Sequence, residues 1–324
     1  MTKPKVYVTR LIPKEGLQIL TEVADVQLWE GNTPVPRDVL MREIKEAVGL
    51  ITLITDPVDA ELFDQASQLK VVANYAVGFD NIDLDAASKR GIYVTNTPDV
   101  LTHATADLTI ALMLATARRI TEAERFMRNG MWKAWTPTLM VGKDVYGASL
   151  GVIGFGRIGQ AVAERAQGFR MKMYYYDERR YPDLEEKWGI VFMPLKELLA
   201  LSDFVSVNVP LNDKTRRLIG KEELIQMKND AILINTARGA IIDEEALMEA
   251  LSQGTIGGAG LDVFETEPLP MDSKLFQLAN VVMVPHIGSA SLNARRKMAE
   301  VAARNVVAVL KGEAPPDVVN AVWY

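Results

Sequence analysis

The stretch Leu150-Gly151-Val152-Ile153-Gly154-Phe155-Gly156-Arg157-Ile158-Gly159 decides the fold. Its apolar head, Leu150 to Ile153, reads as a strand, and a helix starts near Arg157. The glycines that follow the strand have separate tasks. Gly154 makes a tight turn, Gly156 lets the backbone come close to a pyrophosphate, and Gly159 allows the helix to pack on the strand. Phe155, Arg157 and Ile158 complete the turn and open the helix, whose free N–H groups and dipole favour a negative group. The next strand, Met171 to Tyr176, ends on Asp177, an acid in the place that binds the ribose hydroxyls of a dinucleotide. A carboxylate there repels a 2′-phosphate, so NAD(H) is the favoured cofactor. Arg179-Arg180 argue the other way, since guanidinium groups could hold that phosphate, and they leave NADP(H) as the alternative. A tight glycine turn in an α/β protein with no cofactor is the plain alternative. The complete strand, turn, helix, strand and acid weigh against it.

Outward from this stretch, β-rich runs alternate with helical patterns, which implies parallel sheets with helices on their faces. Before it, strands are expected at Val6–Val8, Asp25–Trp29, Leu50–Leu53, Val71–Tyr75 and Ile92–Thr95, with helices at Gly16–Val23, Arg37–Ala47 and Asp59–Ala66. Pro98 closes this series. A long helical pattern runs from about Leu101 to Met127 and stops at Asn129-Gly130. Met131 to Tyr146 has no period and reads as an irregular connection. After it, strands are expected at Leu150–Ile153, Met171–Tyr176, Phe204–Val207, Ala231–Asn235, Gly258–Asp262 and Val281–Val284, and a last helix at about Ser291–Lys311. The fold class is therefore α/β, with two doubly wound parallel-sheet domains and a cleft between them. Ligands in such folds sit beyond the carboxyl ends of the strands.

Composition narrows the function. At 324 residues the chain is too long for one compact core, so two domains are expected. An apolar fraction of 48% with 24% charged residues is that of a folded globular chain, so extended disorder is not expected. A net charge of -6 with scattered Lys and Arg argues against nucleic acid as a partner. There is no cysteine, which removes disulfides, thiolate metal sites and cysteine nucleophiles. Only two histidines, His103 and His286, are present, too few for a multi-histidine metal site, and no metal is expected. The start of the sequence shows no secretory signal, and the apolar run Leu108–Ala117 is too short to span a membrane. No membrane partner and a cytoplasmic location are the resulting expectations.

Further segments carry a resemblance. They are Asn74-Tyr75-Ala76-Val77-Gly78-Phe79-Asp80, Asn235-Thr236-Ala237-Arg238-Gly239, Leu261-Asp262-Val263-Phe264-Glu265-Thr266-Glu267-Pro268 and Pro285-His286-Ile287-Gly288-Ser289. Together they resemble the D-isomer specific 2-hydroxyacid dehydrogenases over essentially the whole chain, and are most similar to the glyoxylate and hydroxypyruvate reductases among them. The chemistry asks for these residue types. A ketone oxygen that gains charge as hydride arrives needs a proton, and imidazole titrates near neutral pH, which makes His286 the candidate acid. A carboxylate beside it would keep it protonated and oriented. The resemblance gives that role to Glu267, with Glu265 a nearby competitor. Arg238 suits an anionic substrate, because a guanidinium grips a carboxylate in two bonds. All three follow strand ends, as an active-site rim requires.

The resemblance implies more. Val77 and Gly78 would offer N–H groups to the substrate carboxylate, with Arg238 and His286 as its other ligands. Thr105, Pro210, Thr236, Asp262 and Gly288 would join Gly154–Gly159 and Asp177 around the cofactor, Asp262 holding the nicotinamide carboxamide. His103 reads as a surface or capping residue. Residues 1–99 with 289–324 would form a flavodoxin-like substrate domain, and 100–288 a Rossmann domain that includes a dimerisation helix and arm, so a homodimer is expected. The implied reaction is hydride transfer to a small 2-oxo acid, glyoxylate or hydroxypyruvate. Dehydrogenases of the same family for 3-phosphoglycerate, D-lactate, phosphite or formate are alternatives. A dinucleotide-sensing binding protein or corepressor is the alternative of another class.

Overall fold

The computed structural model describes residues 3–321. Among these, one unit comprises the residues up to Leu101 together with those from Ser289 onward, and the other is Thr102–Gly288.

The first unit is built on β1 (Lys5–Val8), β2 (Asp25–Leu28), β3 (Gly49–Thr52), β4 (Val71–Asn74) and β5 (Tyr93–Thr95). They pair in parallel in the order β2-β1-β3-β4-β5, the order of flavodoxin-like folds. β3 and β4 are buried along their whole length, which explains why their sequences read as unbroken apolar runs. Helices Lys14–Val23 and Leu292–Leu310 pack together on one face. Their approach is close, since a Cβ at Gly16 would stand 2.7 Å from the Ala299 carbonyl oxygen. Helices Arg37–Glu43, Ala60–Gln65 and Leu84–Lys89 contribute Leu40, Leu62, Phe63, Ala86 and Ala87 to a core shared with Tyr7, Leu50 and Val72. Asp59 and Asp83 cap two of these helices by accepting N–H groups of Leu62 and Ala86. The helix Leu84–Lys89 was not among the sequence expectations.

The second unit carries β6 (Ser149–Ile153), β7 (Lys172–Tyr176), β8 (Val191–Phe192), β9 (Phe204–Val207), β10 (Ile232–Asn235), β11 (Gly258–Leu261) and β12 (Val281–Met283). The order is β12-β11-β10-β9-β6-β7-β8, all parallel. The strand order reverses between β6 and β9, which marks the switch point where dinucleotides bind in doubly wound sheets. Helices Thr102–Ala117 and Arg157–Ala166 cover one face, and Leu195–Leu201, Lys221–Gln226 and Glu244–Gln253 the other. β8 escaped the sequence reading because it is two residues long.

The helix expected from Leu101 to Met127 is two helices. Thr102–Ala117 is buried at Thr105, Thr109, Leu112, Met113 and Thr116. Arg119 then turns left-handed (φ 54°) and Ile120–Arg128 follows. No Gly or Pro marks the break. Its cause lies downstream, where the Lys143 N–H donates to the Ala117 carbonyl at 2.8 Å. Gly142 lies so close that a Cβ there would stand 2.2 Å from the same oxygen. Residues 131–148 contain no helix or strand. No helix among the described residues is long and apolar enough to cross a membrane.

Candidate active site

The glycine turn after β6 is tight at Gly154 and Gly159 and open at Gly156. Gly154 lies at φ 89°, and a Cβ on it would stand 2.7 Å from the Val209 N and 2.8 Å from the Asn208 carbonyl carbon. The turns after β6 and β9 therefore touch at the switch point, just before the exposed Pro210. Gly159 presses on the turn itself, its would-be Cβ 2.1 Å from the Gly154 carbonyl oxygen. Gly156 is different. It is exposed and nothing stands within 4 Å of where a Cβ would be. Open space beside the first turn of helix Arg157–Ala166, where backbone N–H groups lack helical partners, fits a pyrophosphate. Asp177, at the end of β7, accepts the Phe155 N–H at 2.6 Å and the Arg179 N–H at 3.2 Å, so the acid also pins the glycine turn.

The second cluster forms at the carboxyl ends of β10, β11 and β12. His286 Nδ1 lies 2.7 Å from Glu267 Oε2, both side chains being about three-quarters buried. The other carboxylate oxygen of Glu267 accepts the Phe264 N–H at 3.0 Å. Burial pushes the Glu267 carboxyl up, but the His286 hydrogen bond and charge, the Phe264 N–H and the Arg238 charge outweigh it and hold it below the usual glutamate value. Glu265 is placed elsewhere. Its N–H donates to Glu244 and its carboxylate lies 3.4 Å from Arg217.

Arg238 is brought beside this pair by close backbone packing. A Cβ at Gly239 would stand 1.9 Å from the Phe264 carbonyl carbon, so only glycine lets the β10 turn lie on the β11 turn. Asn235 shapes the Arg238 turn, its amide donating to the Arg238 carbonyl at 2.8 Å and accepting the Ala237 N–H at 3.0 Å.

His286 itself is held in a left-handed backbone conformation, φ 50°, which costs a non-glycine residue of order 1 kcal/mol and persists only where neighbours enforce it. Asp262 supplies that enforcement. Its carbonyl accepts the His286 N–H at 2.9 Å, and its two carboxylate oxygens accept the N–H groups of Ile287 at 2.6 Å and Gly288 at 2.8 Å. Asp262 is almost fully buried, and that burial pushes its carboxyl up to about 6 against the pull of the Ile287 N–H.

Thr105 and Thr236 are buried nearby. Thr109, which sequence reasoning missed, links them: its hydroxyl donates to the Thr105 carbonyl at 2.9 Å and lies 2.8 Å from the Thr236 hydroxyl. The signal was present, since Thr109 follows Thr105 by four residues and shares its helix face. Gly288 completes this group, its would-be Cβ 3.1 Å from Asp262 Oδ2 and 3.4 Å from Thr105 Cγ2. His103 is exposed and its ring lies 3.5 Å from Arg165. In the first unit, the Val77 carbonyl accepts the Asn96 amide at 2.8 Å and the Gly78 carbonyl the Asn74 amide at 2.7 Å, so both peptides are fixed at the end of β4.

This geometry is found in a chain with many relatives. A family profile described as D-isomer specific 2-hydroxyacid dehydrogenase, NAD binding domain, matches residues 110–288. The glyoxylate reductase of Korarchaeum cryptofilum is 52% identical over 319 residues, covering 98% of this chain and 96% of that one. A crystal structure of a Thermus thermophilus protein superimposes with a TM-score of 0.92 at 49% identity, covering 97% of this chain and 99% of that chain. The NADPH-dependent glyoxylate/hydroxypyruvate reductase of Sinorhizobium meliloti, solved with NADP and malonate, gives a TM-score of 0.85 at 32% identity, covering 98% of this chain and 97% of its own.

The chain belongs to the D-isomer specific 2-hydroxyacid dehydrogenases.

It is thus an NAD(P)-dependent oxidoreductase that moves hydride between a nicotinamide and a small 2-oxo or 2-hydroxy acid. The residue types at the three strand ends suit that chemistry: a proton donor, an acid that orients it and a guanidinium.

Proposed function

We propose that the chain reduces glyoxylate or hydroxypyruvate to the corresponding 2-hydroxy acid, with NADH preferred over NADPH. The observation that carries this reading is the His286–Glu267 pair at 2.7 Å, formed in the same unit as the glycine turn and beside Arg238. The dinucleotide, when bound, supplies the hydride that reaches the ketone carbon. Glu267 accepts from Nδ1 and fixes the ring, which leaves Nε2 of His286 to hold the proton for the ketone oxygen. Arg238 grips the substrate carboxylate in two bonds. Val77 and Gly78 are proposed as further N–H donors to that carboxylate, on the strength of the resemblance. Gly154–Gly159, Thr105, Pro210, Thr236, Asp262 and Gly288 are proposed as the cofactor's surroundings, with Asp177 on its ribose.

The NADH preference rests on Asp177. The acid occupies the ribose position at the end of β7, and its carboxylate repels a 2′-phosphate.

The proposal extends to assembly. Helix Ile120–Arg128 buries no side chain, and Ile120, Met127, Met131, Trp132 and Trp135 are all exposed. Large apolar side chains gathered in one exposed segment suit an interaction site, and the partner proposed for it is a second copy in a homodimer. A cytoplasmic setting is part of the same reading.

The test is an assay of purified protein with glyoxylate, hydroxypyruvate and pyruvate, each with NADH and with NADPH. Loss of nicotinamide absorbance with one of the first two substrates supports the proposal. Silence on every 2-oxo acid together with tight dinucleotide binding replaces it with a sensor. A monomer by light scattering removes the assembly.

A further inference from the structure

The loop after β7 carries two adjacent guanidinium groups, and the structure treats them differently. Arg180 is forked onto Glu185, Nε to Oε1 at 3.2 Å and Nη2 to Oε2 at 2.5 Å, and its guanidinium lies 5.6 Å from the Phe192 ring centroid. Arg179 rests on the Tyr181 ring at 4.6 Å and donates to the Tyr181 hydroxyl at 2.7 Å. Its backbone N–H is one of the two that Asp177 accepts.

Glu185 is the anchored member of its pair. Its side chain is 17% exposed, against 61% for Arg180. Oε1 also accepts the hydroxyl of Tyr175 at 2.6 Å, and that hydroxyl accepts the Tyr181 N–H at 2.8 Å. Tyr175 is fully buried, and its ring stacks at 4.4 Å on Phe155 of the glycine turn. A chain of contacts therefore runs from the turn that fits a pyrophosphate, through a buried tyrosine, to a carboxylate that holds Arg180.

An arginine close to the ribose is what accommodates the 2′-phosphate of NADP(H). Arg180 stands three residues beyond Asp177, and its charge is already met by a carboxylate in a two-bond grip. We propose that Glu185 is a specificity-determining residue: by holding Arg180 it withholds a cation from the 2′-phosphate and so favours the unphosphorylated dinucleotide. The inference rests on the proposed cofactor site at Gly154–Gly159 and Asp177. Glu185 acts through Arg180 and touches no part of the cofactor itself. A carboxylate at Asp177 discriminates by repulsion, whereas Glu185 discriminates by occupying the attractive partner, and the two are separable by mutation.

The test uses the full chain and equilibrium titration of NADH and of NADPH, followed by nicotinamide fluorescence at low ionic strength. Glu185→Gln keeps an acceptor for Tyr175 and removes the charge that holds Arg180. It should tighten NADPH binding about tenfold, the effect of one charge-assisted hydrogen bond, and leave NADH within about twofold. The gain should shrink as salt is added. Arg180→Met alone should leave both affinities within about twofold, and in the Glu185→Gln background it should abolish the gain, as a coupled pair requires. Arg180 is exposed, so this variant reports even where Glu185→Gln unfolds. A several-fold loss of NADPH affinity in Arg180→Met alone overturns the proposal, because Arg180 would then already contact the phosphate. So does an unchanged NADPH-to-NADH ratio in a folded Glu185→Gln, or a gain that survives loss of Arg180. Should the parent bind neither dinucleotide, the cofactor site falls and Glu185's role with it. Should the parent bind NADH while the ratio stays fixed, only the role of Glu185 falls.

Discussion

Gly156→Ala separates binding from folding. The residue lies at φ −71° and ψ −166°, an extended conformation open to any amino acid, and nothing stands within 4 Å of the new methyl group. The apo protein should therefore keep its stability, or gain up to about 1 kcal/mol from a stiffer unfolded chain. The methyl group instead fills the space assigned to a pyrophosphate. Losing one hydrogen bond to a charged group costs about 1.5–3 kcal/mol, so NADH affinity should fall about 10- to 100-fold. Gly159→Ala is the contrast. Its methyl would stand 2.1 Å from the Gly154 carbonyl oxygen and 3.1 Å from Val152 Cγ1. A backbone oxygen cannot rotate aside, so the helix must retreat by about 1 Å, at an overpacking cost of about 1–3 kcal/mol. Each kcal/mol lowers the Tm of a domain of this size by about 2–4 °C. Thermal denaturation without dinucleotide and NADH titration on the same samples decide the matter. A Gly156→Ala protein that binds NADH like the parent would refute the assignment of this turn. One as unstable as Gly159→Ala would refute the steric reasoning.

His286→Ala should lower kcat about 10²–10⁴-fold, the range for a lost general acid, while the Kd for NADH stays within about threefold; parallel losses would make the residue a binding group. Glu267→Gln should be less stable than the parent by about 1.5–3 kcal/mol at pH 7, the range for a hydrogen bond to a charged group. Because folding lowers the Glu267 pKa from 4.5, its contribution is present above that value and lost as pH falls through the folded one. Urea unfolding should thus show the gap closing below about pH 4.5, and a gap that widens there contradicts the pairing. Asp177→Ala should raise the NADPH-to-NADH ratio of kcat/KM about tenfold by removing the repelling carboxylate, and an unchanged ratio moves recognition to Arg179.

What was legible in the sequence was local. The turn at Gly154–Gly159 is visible because Gly154 and Gly159 answer short-range steric demands and Gly156 completes their spacing, and Asp177 because a strand end has a fixed place in a parallel sheet. His286 and Arg238 stood out as reactive side chains just past apolar runs, whereas Glu267 was singled out from Glu265 by the family resemblance. The break at Arg119 was hidden because its cause, the Lys143 N–H on the Ala117 carbonyl, arrives from a segment without a period. The fork of Arg180 on Glu185 was hidden likewise: the acid is five residues away on a helix, and only the buried Tyr175 hydroxyl fixes it there.

Asp262 shows where reading residues one at a time stops. As a polar residue at a strand end it suits a ligand of the cofactor carboxamide and an ordinary structural acid equally well. The structure adds that each of its oxygens already accepts an N–H, from Ile287 and from Gly288. A carboxylate oxygen has a second lone pair, so a carboxamide donor can be added without breaking either bond. The two roles therefore reinforce each other: the acid that would orient the nicotinamide also fixes the left-handed turn that presents His286. Burial that pushes this carboxyl up to about 6 follows from the same arrangement, since a group holding two elements together from inside has little water around it. Asp262 would then tie the proposed hydride donor and proton donor to one buried side chain, and that tie comes from bonds reaching from β11 to Ile287 and Gly288, which a linear sequence does not display.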